Sequence, residues 1–176
     1  MKEKRVAIAQ PASFLSKEET SVTIDQVKDY LTACGLDGRV REFDESSATV
    51  ELAAHAVGCE PCRIAKTMSF LIDGKPALIV LAGDARVDNP KFKAVFHQKA
   101  KMLSHEQVAE LTGFPVGGVC PFLAPEGTRV YLDVSLKRFE TIYPAAGTRN
   151  SAVELTPAEL ESASRCDGWV DIAKLG

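Results

Sequence analysis

Asp73-Gly74, set between the apolar runs Met68 to Ile72 and Ala77 to Leu81, constrains the fold of this chain more than any other feature. Asp-Gly supplies two residues that tolerate positive φ, as the tightest turn between antiparallel strands requires, so the two runs are predicted to pair as a hairpin. Neither run alternates apolar with polar residues, and an antiparallel pair without alternation is covered on both faces. The stretch from Ile64 to Asp84 is therefore expected at the centre of a sheet. Lys66 stands just before the first run, flanked by Ile64, Ala65, Met68 and Phe70. Its ammonium begins beside apolar walls and must reach water or an anion. Either it snorkels to the surface along its own methylenes, or it binds an anion in a cleft.

Helices and strands alternate irregularly around this hairpin. Thr23 and Gln26 form a capping box ahead of Ile24, Val27, Tyr30 and Leu31 at helical spacing, closed by Gly35. Arg39 to Phe43 reads as a strand, Thr49 to Val57 as a helix ended by Gly58, and Pro61 as the start of a further turn. Gly83-Asp84 stops the second hairpin strand. A basic helix is expected from Lys91 to Lys101, with Phe92, Val95 and Phe96 on one face; its lysines make a solvated face or a phosphate contact. Ser104 and Gln107 cap the next helix, which Thr112-Gly113 ends. Gly113 to Phe122 packs three glycines and two prolines, a stretch that serves as a structural turn or as a loop approaching a ligand closely. Thr128 to Asp133, Phe139 to Tyr143 and Ala152 to Leu155 are strand candidates. Pro144 to Ser151 is a small-residue loop, and Thr156-Pro157-Ala158-Glu159 opens a helix through Ala163. Trp169 is expected to dock the tail on the core.

The 176 residues suit one domain, with a core over residues 22–176 and an accessory arm over residues 1–21. The net charge of −3 excludes a grip on nucleic acid by overall charge, so any RNA is met locally. No apolar run approaches the roughly 20 residues that span a bilayer, and the start lacks a secretory pattern, so a cytoplasmic protein without membrane contact is expected. Five cysteines, an odd number, favour free thiols over a disulfide framework. Cys59-Glu60-Pro61-Cys62 is a candidate redox pair. It is half of a zinc site at most, since no second CxxC or spaced histidine pair accompanies it.

Ile64-Ala65-Lys66-Thr67, Gly83-Asp84, Gly113-Phe114-Pro115-Val116-Gly117-Gly118-Val119 with Pro121-Phe122, and Ala146-Gly147 before Leu155-Thr156-Pro157-Ala158 occur in an order that resembles the YbaK/EbsC family. That family is related to the editing domains associated with prolyl-tRNA synthetases, and the resemblance runs from about Val22 to the C-terminus. It implies a single mixed α/β domain with a largely antiparallel, barrel-like sheet flanked by helices. It also implies deacylation of mischarged aminoacyl-tRNA carrying a small amino acid such as alanine, cysteine or serine. By the same resemblance Lys66 is the catalytic cleft lysine at the tRNA acceptor end, and Thr67, Gly117, Gly118, Val119, Ala146 and Gly147 bind the substrate. The tRNA acceptor end is the implied partner, a tRNA synthetase is a second partner that the resemblance admits, and no cofactor or metal is required.

An aminoacyl ester is already activated, so an editing site need only position it, polarise its carbonyl and admit a nucleophile. Water, a ribose hydroxyl or a substrate thiol could serve. Two other functions remain open on the residues: a thiol redox protein built on Cys59 and Cys62, and a non-catalytic tRNA- or protein-binding module built on Lys91, Lys93, Lys99 and Lys101.

Overall fold

Asp73 and Gly74 both adopt positive φ, 53° and 75°, and join strands that form the longest ladder in the protein. A computed structural model describes residues 21–176. In it β2 (Ile64–Ile72) pairs antiparallel with β3 (Lys75–Ala82), from Ile72 opposite Lys75 to Ala65 opposite Ala82. Leu78 to Ala82 are wholly buried without interruption, as expected for a strand covered on both faces. The hairpin begins earlier than the sequence pattern suggests. Lys66 is the third residue of β2, opposite Leu81, rather than a residue preceding the strand.

Other strands arrive from a distance. β1 (Val40–Glu42) and β7 (Ser151–Val153) form one antiparallel ribbon, and β4 (Ala85–Val87) and β9 (Ala173–Leu175) form another. The central sheet also contains β5 (Arg129–Asp133), β6 (Tyr143–Pro144) and β8 (Gly168–Val170), in the order β6-β2-β3-β5-β8. The expected mixed α/β domain with a barrel-like sheet flanked by helices is observed, the sheet being mixed and curled into a half-barrel. Antiparallel pairing supplies the hairpin and both ribbons. Within the five-stranded sheet, however, β6, β5 and β8 are all added in parallel, through ladders of two to four residues. Parallel neighbours need a long crossover, and the one from β3 to β5 passes through two helices, a pairing that no local turn signal encodes. The strand expected over Phe139 to Tyr143 shrinks to Tyr143–Pro144.

The capping signals place the helices. α1 (Ile24–Ala33) has the Thr23/Gln26 box and buries Val27 and Leu31 completely. α2 (Val50–Val57) is capped by Thr49 and ended by Gly58 at φ 85°. α3 (Asn89–Phe96) stops at His97, φ 59°, so the basic stretch through Lys101 is only partly helical. α4 (His105–Thr112) and α5 (Pro157–Ser164) both carry the expected capping boxes. Phe92 of α3 packs against Phe70 of β2, ring centroids 5.2 Å apart, and both rings are buried. Each contributes about 1.5–3 kcal/mol relative to exposure, which seats α3 on the sheet beside Lys66. Arg39 donates to Glu159 through both terminal guanidinium nitrogens, linking the segment before β1 to α5. Trp169 lies in β8, packed on the core with Lys137 over its ring. Apart from Ser21, the expected arm lies outside the described residues.

Candidate active site

The β2 strand turns Lys66 toward a place where no described carboxylate pairs with it. Its Nζ donates to the carbonyl of Gly83 at 3.3 Å and forms no ion pair within 4 Å among the described residues. Asp84 is nearby, but both its oxygens accept from the Arg138 guanidinium, at 2.6 and 3.2 Å. Arg138 thereby holds the Asp84 carboxyl below its ordinary range. Half-burial pushes the Lys66 ammonium below the ordinary lysine range; the fields of Asp84 and Glu51 oppose this and that of Arg86 adds to it. A desolvated cation with one carbonyl for a partner is stabilised by any anion that reaches it.

Lys66 and Thr67 open onto a pocket of about 300 Å³. Ala53, Ile64, Ala65, Tyr143, Ala145 and Ala152 give it small apolar walls, and Gly117 and Val119 come to it from the loop after α4. The Thr67 hydroxyl is buried there without a hydrogen-bond partner among the described residues. Three segments far apart in sequence are clipped together around this space. Ser47 donates its amide and its hydroxyl to the Arg149 carbonyl, and Arg149 Nε donates to the Val116 carbonyl at 2.7 Å. Gly117 sits at φ 89°, where a Cβ would stand 2.8 Å from the Cβ of Ala48, so only glycine lets these two segments touch.

Of the residues expected at the site, Lys66, Thr67, Gly117 and Val119 share this pocket, whereas Gly118, Ala146 and Gly147 are not among its lining. Gly118 is packed on the Thr148 backbone, and its amide donates to Pro115. Ala146 is fully buried in the main core, and a Cβ on Gly147 would face Val27 and Phe114. The 144–151 loop instead presents Ala145 and Ser151 to the pocket. Sequence reasoning missed the wall formed by Ser47, Ala48, Thr49, Val50 and Ala53. The Thr49 cap located α2, but nothing local pointed its start toward Lys66.

None of the three histidines, at 55, 97 and 105, lines the pocket, and none of the cysteines does. Cys59 packs beside Ile64 and Tyr143, and burial pushes its thiol up, opposite to what redox chemistry needs. All five cysteines are free, and no cluster of three metal-binding side chains occurs among the described residues. No helix among these residues is long and apolar enough to cross a membrane.

A curled mixed sheet that carries an unpaired lysine into a small apolar pocket defines an α/β domain suited to a ligand with one anionic and one apolar part. The sequence pattern of the aminoacyl-tRNA editing domain matches residues 44–163, and the chain belongs to that family. It is 49% identical over 154 residues to the uncharacterized protein YwhH of Bacillus subtilis, covering 87% of this chain and 98% of that one. It is 28% identical over 123 residues to EbsC of Enterococcus faecalis, described as a putative Cys-tRNA(Pro)/Cys-tRNA(Cys) deacylase, covering 68% of this chain and 74% of EbsC. A crystal structure described as a putative trans-editing enzyme for prolyl tRNA synthetase superposes with a TM-score of 0.76 at 30% identity, covering 89% of this chain and 100% of that one.

Proposed function

We propose that this protein is a trans-acting deacylase that hydrolyses mischarged aminoacyl-tRNA carrying a small side chain, such as alanine, cysteine or serine. The observation that carries this reading is the Lys66 ammonium, without an ion pair among the described residues, beside a pocket whose apolar walls include five alanines. Small walls accept a small side chain, and among the described residues no carboxylate lines the pocket to hold a cationic one. The names of EbsC and of the trans-editing structure support the reaction class and a link to prolyl-tRNA synthesis.

Lys66 meets the acceptor end through its charge, on a phosphate or on the oxyanion that develops as the ester carbonyl is attacked. The Thr67 hydroxyl and the amides of Gly117 and Val119 have no partners among the described residues and are the other available donors. The Ser47 and Ser151 hydroxyls are engaged with neighbouring loop groups, and no histidine base adjoins them. The nucleophile therefore comes from water or from the substrate. The carbonyl–ribose oxygen bond breaks, leaving tRNA and the free amino acid.

The test is first-order ester loss from alanyl-, cysteinyl- and seryl-tRNA with wild type, Lys66→Ala and Lys66→Arg, with circular dichroism monitoring the fold. Lys66→Ala should lower the rate by about 10²–10³-fold, the loss expected for one oxyanion donor. Arginine keeps the charge with a different geometry and should restore part of it. A folded Lys66→Ala protein with wild-type turnover would remove Lys66 from the chemistry, and a wild type inert on every aminoacyl-tRNA would refute the deacylase reading.

A further inference from the structure

The pocket does not end at Lys66. The same lysine lines a second cavity of about 390 Å³, and Asn89 and Ala100 of that cavity also line a third of about 540 Å³. Their shared lining residues set the three side by side, as a groove from the candidate active site along β2, past β4, to the start of α3 and the segment after it. Arg86, Lys93 and Lys99 line it beyond Lys66, and among the described residues no aspartate or glutamate does. Asn89 is polar, and the rest of the lining is apolar, including Val87, Ala100 and Met102, the last 55% exposed.

These cations are unspent. Lys91, on the same helix as Lys93, is held by Asp171 at 3.0 Å and by the Ala173 carbonyl at 2.9 Å. The nearby Asp88 caps the Lys91 amide, and Asp84 is bound to Arg138. Arg86, Lys93 and Lys99 form no ion pair among the described residues. Cations without ion pairs beside a partly exposed apolar strip fit single-stranded nucleic acid, whose phosphates seek the cations and whose base faces seek the strip.

We infer that this groove receives the single-stranded 3′ end of tRNA, with Arg86, Lys93 and Lys99 on successive phosphates and the bases against Val87, Ala100 and Met102, delivering the terminal ribose ester to Lys66. The inference rests on the deacylase reading for the identity of the RNA, but binding tests it independently of turnover. It divides the basic segment by role: Lys91 braces the β9 end, while Lys93 and Lys99 face the ligand.

The experiment measures anisotropy of a fluorescein-labelled single-stranded RNA ending in CCA, with uncharged tRNA as competitor, across about 50–200 mM salt, where phosphate contacts reveal themselves as counterion release. Wild type, Lys93→Ala/Lys99→Ala, Arg86→Ala and the control Lys137→Ala, at the opposite β8 edge, are compared. Each phosphate contact on a single strand contributes about 0.7 to the slope of log K against log salt, so the double variant should lose about 1.4 and the control nothing. In turnover the double variant should raise KM for aminoacyl-tRNA and leave kcat unchanged. A folded double variant with the wild-type slope, or a wild type that does not bind the RNA, overturns the groove assignment. RNA binding by this groove without hydrolysis of any aminoacyl-tRNA would instead overturn the deacylase reading and leave the groove standing.

Discussion

Replacing Gly83, which does not itself line the pocket, with alanine should disable the site. Gly83 follows β3, and its carbonyl is the one hydrogen-bond acceptor that holds Lys66 among the described residues. A Cβ there would stand 2.0 Å from the Pro61 carbonyl oxygen and 2.9 Å from Val50 Cγ1. Carbon and carbonyl oxygen normally stop at about 3.3 Å, so about 1.3 Å must be opened between two backbones. β3 cannot yield easily, because Ala82 is paired with Ala65 and wholly buried. The shift therefore falls on the Pro61–Arg63 turn and on Val50 at the start of α2, or on the Gly83 carbonyl itself; Val50 lines the pocket and the carbonyl anchors Lys66. Overpacking of this kind costs about 1–3 kcal/mol, and misplacing a catalytic group by about 1 Å costs about 10²-fold in rate. Urea unfolding and single-turnover deacylation separate the two effects. Gly74→Ala is the matched control: at φ 75° with nothing near its Cβ, it pays about 1–2 kcal/mol in backbone strain alone and should turn over normally. A folded Gly83→Ala protein with wild-type kcat/KM would refute the anchoring role.

The pH profile should carry the signature of Lys66. Burial lowers its pKa, so the required cation is lost as pH rises through a value below the ordinary lysine range; after correction for spontaneous ester hydrolysis, the alkaline limb should lie there and move beyond reach in Lys66→Arg. Between the folded and unfolded pKa values the unfolded chain binds the extra proton, so this group's contribution to stability should rise with pH. Among the cysteines, exposed Cys34 should react first with a thiol reagent in the folded protein. Cys120, fully buried with its thiol pushed up to about 12, should react only after unfolding. The Cys59→Ser/Cys62→Ser variant should keep deacylase activity, whereas a matching loss of activity and of disulfide exchange would revive the redox reading.

What the sequence determined by itself is what short-range physics governs. Asp73-Gly74 set the hairpin turn, since the residues that satisfy its positive φ angles are adjacent in the chain. Thr23, Ser104 and Thr156 placed three helix starts because each caps an amide three residues away. Lys66 stood out because a cation in an apolar run needs a partner wherever the chain goes. Resemblance added Thr67, Gly117 and Val119, which share its pocket, together with Gly118, Ala146 and Gly147, which do not line it. Tertiary structure decided the rest. β4, β8 and β9 span three residues each, too few for a periodic signal, and their partners lie far along the chain. Ser47 acquires its place only when the 148–151 loop folds onto it, and Gly147 turns to Val27 and Phe114 because the core needs close backbone approach there. Lys91 and Lys93 look alike in sequence; Asp171, 80 residues from Lys91, takes up one and leaves the other free. Local patterns encode conformations and caps, but which charges remain unspent and which walls meet is settled by contacts between distant residues.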